Sequence, residues 1–182
     1  TAVTRLNENL DASFQGTSKV GAFDIERSVA LPMLSTPNVN GLSNVVVVKP
    51  WANGQDLTRR PSGTWIIDFG TTMTEAEAAL FEAPFAFVST HVRDERLKNN
   101  REAYRRLWWR HAEARGGMRA ALQHCPRYIA TPRVSKHRVF VWQPAQSLPD
   151  TAIVVACRPD DSTFGLLHSR FHELWSLRMC TW

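Results

Sequence analysis

The chain has 182 residues, a formal net charge of +5 and 43% hydrophobic residues, with seven Trp and nine Phe. That is enough apolar material for one sizeable core, and the 21% charged fraction is too low for a disordered chain. The longest apolar run, 152–157, is far below the roughly 20 residues of a membrane helix. No basic-then-apolar leader opens the chain, and the scattered Cys125, Cys157 and Cys180 fit a reducing cytosol rather than a zinc site.

Residues 1–24 are polar and aperiodic, and read as an arm or linker with Gly16 and Gly21 as turn points and Phe14 and Phe23 as anchors. Residues 25–182 form the domain proper. Within it, 25–34 predicts a short helix stopped by Pro37, and Asn38-Val39-Asn40-Gly41 is a turn signal. A buried strand follows at 45–48, then a turn at 51–57 and a second strand at 64–69, TWIIDF, between Gly63 and Gly70. Asp68-Phe69-Gly70 has the letters of a kinase motif. No glycine-rich phosphate loop precedes it and no HRD-type loop lies upstream, so Asp68 is assigned to positioning the next turn. Thr74 and Glu77 form a capping box that opens a helix ending near Pro84, and 85–89 reads as a third strand.

Residues 93–115 predict one long helix with Leu97, Tyr104, Leu107 and Trp108 on its apolar stripe and Gly116-Gly117 at its end. A shorter helix at 118–125 is closed by Pro126. Next comes a basic hairpin, RYIATPRVSKHRVFVW, with strands at 128–131 and 138–142, four formal positive charges and no acid. After a loop at 144–149, a strand at 151–157 precedes a final helix capped by Asp160, Asp161 or Ser162, with Leu167, Phe171, Leu174 and Trp175 facing inward. The sum is an α+β fold: a mixed β-sheet with packed helices.

The charge is uneven. Residues 93–138 hold 13 Lys/Arg and four Asp/Glu, a balance of +9; the remainder holds nine against 13, a balance of −4. A neutral-to-acidic scaffold with one basic segment is the footprint of a polyanion binder. No catalytic set accompanies it. There is no nucleotide P-loop, no GxGxxG and no Asn/Asp-Pro-Pro-Tyr/Phe methyl-transfer motif. No Lys is preceded at two residues by an acid, as a common metal nuclease requires. The run His168-Ser169-Arg170-Phe171-His172 has acid–base groups, yet helix-borne His near Ser are more often surface groups.

What remains is binding chemistry. Lys98, Arg101, Arg105, Arg106 and Arg110 are candidate phosphate ligands, because the guanidinium fork matches phosphate oxygens. Intrahelical pairing of Glu102 with Arg105 or Arg106 is the plainer alternative. Reading a base needs donors on a rigid support. Arg133, Ser135, Lys136, His137 and Arg138, on a strand-supported loop, are the candidates for it, with His168, Ser169 and Arg170 as possible further contacts.

The blocks TWIIDFG, FEAPF, NNREAYRRLWW, RYIATPRVSKHRVFVW and DDSTFGLLHSRFHELWSL occur in that order. They resemble the target-recognition region of large single-chain bacterial type II restriction–modification methyltransferases. LNENLDASFQGTSKVGAFDI is similar to the passage leading out of their methyltransferase domain. The resemblance implies a DNA target-recognition domain of an N6-adenine DNA methyltransferase that uses S-adenosylmethionine, with a nuclease attached in some members. The partners implied are double-stranded DNA and the methyltransferase domain of the same polypeptide, in the bacterial cytoplasm. The cofactor and catalytic motifs are expected upstream, so the chain itself is expected to be non-catalytic. A protein-interaction module that docks a basic helix, and an RNA-binding domain, stand as alternative readings.

Overall fold

The computed structural model describes residues 10–179; residues 1–9 and 180–182, with Cys180 and the start of the expected arm, lie outside it. The fold is α+β, with two four-stranded sheets. The first has the order β1 (Ser13–Gln15), β8 (Ile153–Ala156), β5 (Arg127–Pro132), β6 (Val141–Pro144), antiparallel throughout. The second runs β2 (Asp24–Ile25), β4 (Trp65–Ile67), β3 (Val48–Ala52), β7 (Leu148–Pro149), and is mixed because β3 and β7 are parallel.

The chain therefore leaves the first sheet after β6, adds β7 to the second and returns as β8. Gly16 makes the crossing possible. Its amide donates to the Ile153 carbonyl and the Thr17 amide to Pro149, at 2.9 and 2.8 Å. A Cβ on residue 16 would lie 2.1 Å from the Asp150 carbonyl oxygen. Residues 13–25, mostly within the expected arm, thus supply an edge strand to each sheet.

Helices α1 (Arg27–Ser35), α2 (Glu75–Ala79), α3 (Glu82–His91), α4 (Arg93–Leu97), α5 (Glu102–Arg106), α6 (Gly116–Leu122), α7 (Asp161–His168) and α8 (Arg170–Met179) complete the described chain. The capping box on α2 is formed, with Thr74 and Glu77 satisfying each other's amides. Asp160 caps α7 by accepting from the Thr163 amide at 2.7 Å.

Five sequence expectations are corrected. Residues 44–46 form a 3-10 turn with Val45 and Val46 exposed, so the buried strand expected at 45–48 begins only at Val48 and runs to Ala52. Residues 85–89 are helical, not a strand. Pro84 sits in the first turn of α3, where amides have no intrahelical acceptor, so it opens the helix rather than ending the one before. The buried positions Phe81, Pro84, Val88, Val92 and Arg96 step by three or four along α3 and α4.

The long helix over 93–115 does not form. The Asn99 side chain accepts from the Arg101 amide at 2.9 Å, and Arg105 donates to the Asn99 and Asn100 carbonyls. This local bonding competes with the helical ladder. The break lets the consecutive Trp108 and Trp109 both be buried, with indole N–H groups donating to Glu75 and to the Met73 carbonyl. Gly116-Gly117 consequently starts α6, after Arg115 in the left-handed region at φ 56°. The final helix is two helices parted at Ser169, and its expected inner stripe faces outward: Phe171 is 86% and Trp175 59% exposed. Finally, residues 138–140 are not strand; β6 begins at Val141.

Among the described residues one carboxylate lies buried, beside a core that includes Phe23, Ile66, Ile67, Phe69, Val88, Met118, Tyr128 and Ile153. Asp68, 1% exposed in its side chain, accepts a two-pronged bond from Arg119 at 2.8 and 2.9 Å and one from Lys49 at 3.1 Å. It also takes the Gly70 amide at 3.1 Å, which fixes the turn after β4. Burial alone would raise its pKa. The charges of His111 when protonated, of Arg119 and of Lys49 outweigh burial and hold it well below the usual carboxylate range.

His111 donates from Nε2 to the Ile67 carbonyl at 2.9 Å, leaving a bare Nδ1 3.7 Å from Asp68. Burial pushes its pKa down to about 4 against the opposing pull of Asp68, so at neutral pH it is uncharged. Both shifts are downward, so the unfolded chain binds more protons and acid destabilises the fold. The His111 contribution erodes as pH falls below 6.5, by up to roughly 1.4 kcal/mol per pH unit, and that of Asp68 below about 3.8. Urea denaturation is expected to show unfolding free energy falling from pH 7 to pH 4. Asp68→Asn should cost about 2–3 kcal/mol at pH 7, because its cations are only partly desolvated, and should flatten the loss below pH 4.

Candidate nucleic-acid interface

β5 ends at Pro132, and the chain then loops out over 133–138, where every residue is exposed. The loop is anchored at its start: the Arg133 amide donates to the Ala152 carbonyl at 2.8 Å, and its guanidinium reaches the Thr151 carbonyl at 3.4 Å. The Ser135 hydroxyl accepts from the His137 amide at 3.3 Å. Among the described residues, the side chains of Lys136 and His137 have no hydrogen bond or ion pair. The loop forms one wall of a cleft of about 930 Å³, with Ala152 on its floor. The opposite wall is a turn at 53–59 contributing Gln55, Thr58 and Arg59, none of which the sequence reading singled out. Only its formation by tertiary contact reveals it; the one local signal is the turn chemistry of Asn53-Gly54.

Arg138 does not share this exposure of function. Its Nη1 donates to the Leu167 carbonyl and to His172 Nδ1, the latter at 2.6 Å, and Nη2 reaches Ser169 at 3.5 Å. It caps the carboxyl end of α7, where cations are favoured. Ser169 in turn accepts the His172 amide at 3.2 Å, and His168 donates from Nδ1 to the Phe164 carbonyl at 3.0 Å. The Arg170 side chain is exposed. A continuous aromatic seam joins these groups to β6. Arg127 stacks 3.8 Å over Trp142, Trp142 lies on Phe164 at 4.7 Å, and the His168 and His172 rings stand edge-on to Phe140. Partial burial and the adjacent Arg138 lower the pKa of His172, which must stay neutral to accept the guanidinium bond.

The five cations assigned to phosphate do not form one helical face. Lys98 and Arg106 are exposed, and among the described residues they have no partner. Arg101 lies over Tyr104 and donates to its hydroxyl at 2.7 Å. Arg105 is bonded to the Asn99 and Asn100 carbonyls at 2.7 and 3.2 Å. Arg110 spends Nε and both terminal nitrogens on the carbonyls of Thr71, Thr72 and Met73. Carbonyls take these donors without cancelling the charge, so the positive field survives where the hydrogen-bonding capacity does not.

Among the described residues no group of three or more His, Cys, Asp and Glu comes together as a metal site. Cys157 is pushed up to about 11 by burial, so it is a thiol rather than a nucleophilic thiolate at neutral pH. No helix of the described residues is long and apolar enough to cross a membrane.

No family model and no curated protein matches the chain. A solved structure does: that of the Type IIL restriction-modification enzyme MmeI in complex with DNA, at a TM-score of 0.62 and 14% identity. The match covers 90% of this chain and 21% of the other, so this chain spans about a fifth of the length of that enzyme. At that identity the likeness is one of fold.

The Arg138 clamp sets an expected behaviour. Arg138→Ala should raise amide hydrogen exchange across 161–179 at pH 7.5 and leave β5 and β8 protected. In the unaltered chain the same region should loosen as pH falls below 6.5, since the folded pKa of His172 is the lower one and protonation sets two cations against each other.

Proposed function

We propose that this chain is the DNA target-recognition domain of a longer restriction–modification enzyme. The observation that carries the reading is the cleft-mouth loop at 133–137, which sets Lys136, whose side chain has no internal bond among the described residues, beside an exposed Arg133 held by one long bond, on a strand-anchored support. Its fold is like that of a part of an enzyme solved with DNA. In this reading Arg133, Ser135, Lys136 and His137 approach base edges, with Arg and Lys suited to guanine O6 and N7. Lys98 and Arg106, with Arg101 and Arg105 beside them, hold phosphates. Arg110 and Arg138 act on DNA indirectly, by bracing 71–73 and the α7–α8 junction. His168 and Ser169 belong to that same bracing, while Arg170 remains open to a phosphate.

The longer enzyme would be an adenine-N6 methyltransferase of type II systems in the bacterial cytoplasm. Its methyltransferase domain would hold S-adenosylmethionine and flip the target adenine out of the duplex. This chain carries no cofactor motif and would contribute only site choice. Two rivals lose ground on particular residues. A basic helix docking an acidic protein needs a continuous face, and α4 and α5 are five residues each. RNA stacking needs open aromatic platforms on strands, and Trp142 is already sandwiched between Arg127 and Phe164.

Duplex affinity, measured by fluorescence anisotropy, should fall linearly in log–log form with salt. Arg106→Ala should weaken all duplexes alike and reduce that slope by about 1, whereas Lys136→Ala should relax base choice at one position with a loss of about tenfold on the preferred duplex. A salt-independent affinity, or identical effects of the two variants on all sequences, would overturn the proposal.

A further inference from the structure

We infer that the 53–59 turn is a second sequence-reading element, with Gln55 and Arg59 facing the 133–137 loop across the cleft; this rests on the DNA-recognition reading above. Three observations converge on it. The first is charge. Arg59, Arg133 and Lys136 line one cleft, and none of its lining residues is an acid. Three like charges around one concavity are stabilised when a polyanion occupies it.

The second is rigidity. The turn's own polar groups are spent on holding its shape. The Asn53 side chain accepts from the Gln55 and Asp56 amides at 2.8 and 3.2 Å, and Asp56 accepts from the Asn53 and Ser62 amides at 2.9 and 2.7 Å. Main-chain bonds from Thr58 and Arg59 to the Gln55 carbonyl add a helical twist, and Leu57 is buried as an anchor. What the turn leaves over is the side chains of Gln55 and Arg59. Both are exposed, and among the described residues neither has a hydrogen bond or ion pair. A fixed backbone with uncommitted amide and guanidinium heads is the arrangement base readout needs, Gln pairing with adenine N6 and N7 and Arg with guanine O6 and N7.

The third is a shared floor. Ala152 accepts the Arg133 amide on one side and abuts Gly54 on the other, where a Cβ would meet the Ala152 oxygen at 3.3 Å and Pro132 at 3.8 Å. The two walls are therefore held at a set separation by one residue of the β7–β8 crossing, and the pair acts as one site.

The test uses the 182-residue chain, a randomised duplex pool with selection and sequencing, and anisotropy on the selected duplex. Gln55→Ala and Arg59→Ala should each erase base preference at a position different from that lost in Lys136→Ala, weakening the selected duplex about tenfold while random duplex changes less than twofold. Circular dichroism melts should coincide with the unaltered chain, since neither side chain has an internal partner. If both variants keep the original sequence profile while Lys136→Ala changes it, the turn is only a wall and the inference fails, with the DNA-recognition reading intact. If Arg59→Ala instead weakens every duplex equally, the turn holds phosphate and the reading role is overturned. If the unaltered chain enriches no sequence, both readings fall together.

Discussion

The buried carboxylate of Asp68 is the constraint on which the rest of the molecule depends. Taking an ion out of water costs several kcal/mol unless it is paired and hydrogen-bonded. Asp68 meets that cost with Arg119 from α6, Lys49 from β3 and the Gly70 amide of its own turn. Each partner comes from a different element, so satisfying one charge fixes three placements at once. β3 is held where its end launches the 53–59 turn. The turn at 68–70 is set so that 71–73 presents carbonyls to Arg110. α6 is pinned beside an apolar cavity of about 420 Å³ that Lys49 and Arg119 also line. Both walls of the cleft inherit their positions from these placements, one through β3 and the other through the β7–β8 crossing onto Ala152.

The arginines divide by what faces them. Arg119 faces a buried carboxylate. Arg96 is 1% exposed and gives Nη2 to the Lys19 and Arg110 carbonyls while its plane lies by Phe23 and Tyr104. Arg105 and Arg110 likewise cross-link backbone outside helix and strand, and Arg138 takes carbonyls at the carboxyl end of α7. Irregular backbone carries unpaired carbonyls, and a guanidinium, with five donors and no acceptor, answers several of them at once. Much of the positive charge counted along 93–138 is thus architectural in its hydrogen bonds, while still contributing its field. Among the described residues of 93–138 the side chains of Lys98, Arg106 and Lys136 carry no internal hydrogen bond or ion pair, a smaller set than the sequence count implies, and Arg59 joins Lys136 at the cleft.

This explains what could be read from sequence and what could not. Signals that act within a few residues were legible: the Thr74–Glu77 capping box, the Asp160 cap, the Asp68 turn, and the β-branched runs that became β4, β5 and β8. The helix at 93–115 failed because its spacing fits a helical stripe while Asn99 and the paired Trp108 and Trp109 are satisfied only by breaking it. The strand at 85–89 failed because its aromatic and β-branched composition outweighed the three-and-four stepping that begins at Phe81. For the site, the loop at 133–138 was visible as cations without acids. Its partner turn was not, because Gln55 and Arg59 gain meaning only when Ala152 brings the two segments together, about 80 residues apart in sequence.

On the proposed reading, a domain that chooses among sequences has to separate what holds the fold from what touches the ligand. Here the separation is physical. Asn53, Asp56, Gly54, Arg138 and Ala152 carry the bonds and close contacts that shape the cleft, and replacing any of them moves backbone. The side chains of Gln55, Arg59, Lys136 and His137 are exposed and among the described residues carry no hydrogen bond, so exchanging them alters folding free energy by no more than about 0.5 kcal/mol, the usual range for surface positions. The exposed heads at the cleft can therefore change while the supports stay fixed. That independence would fail if these exposed groups were also structural ties, as Arg138 is.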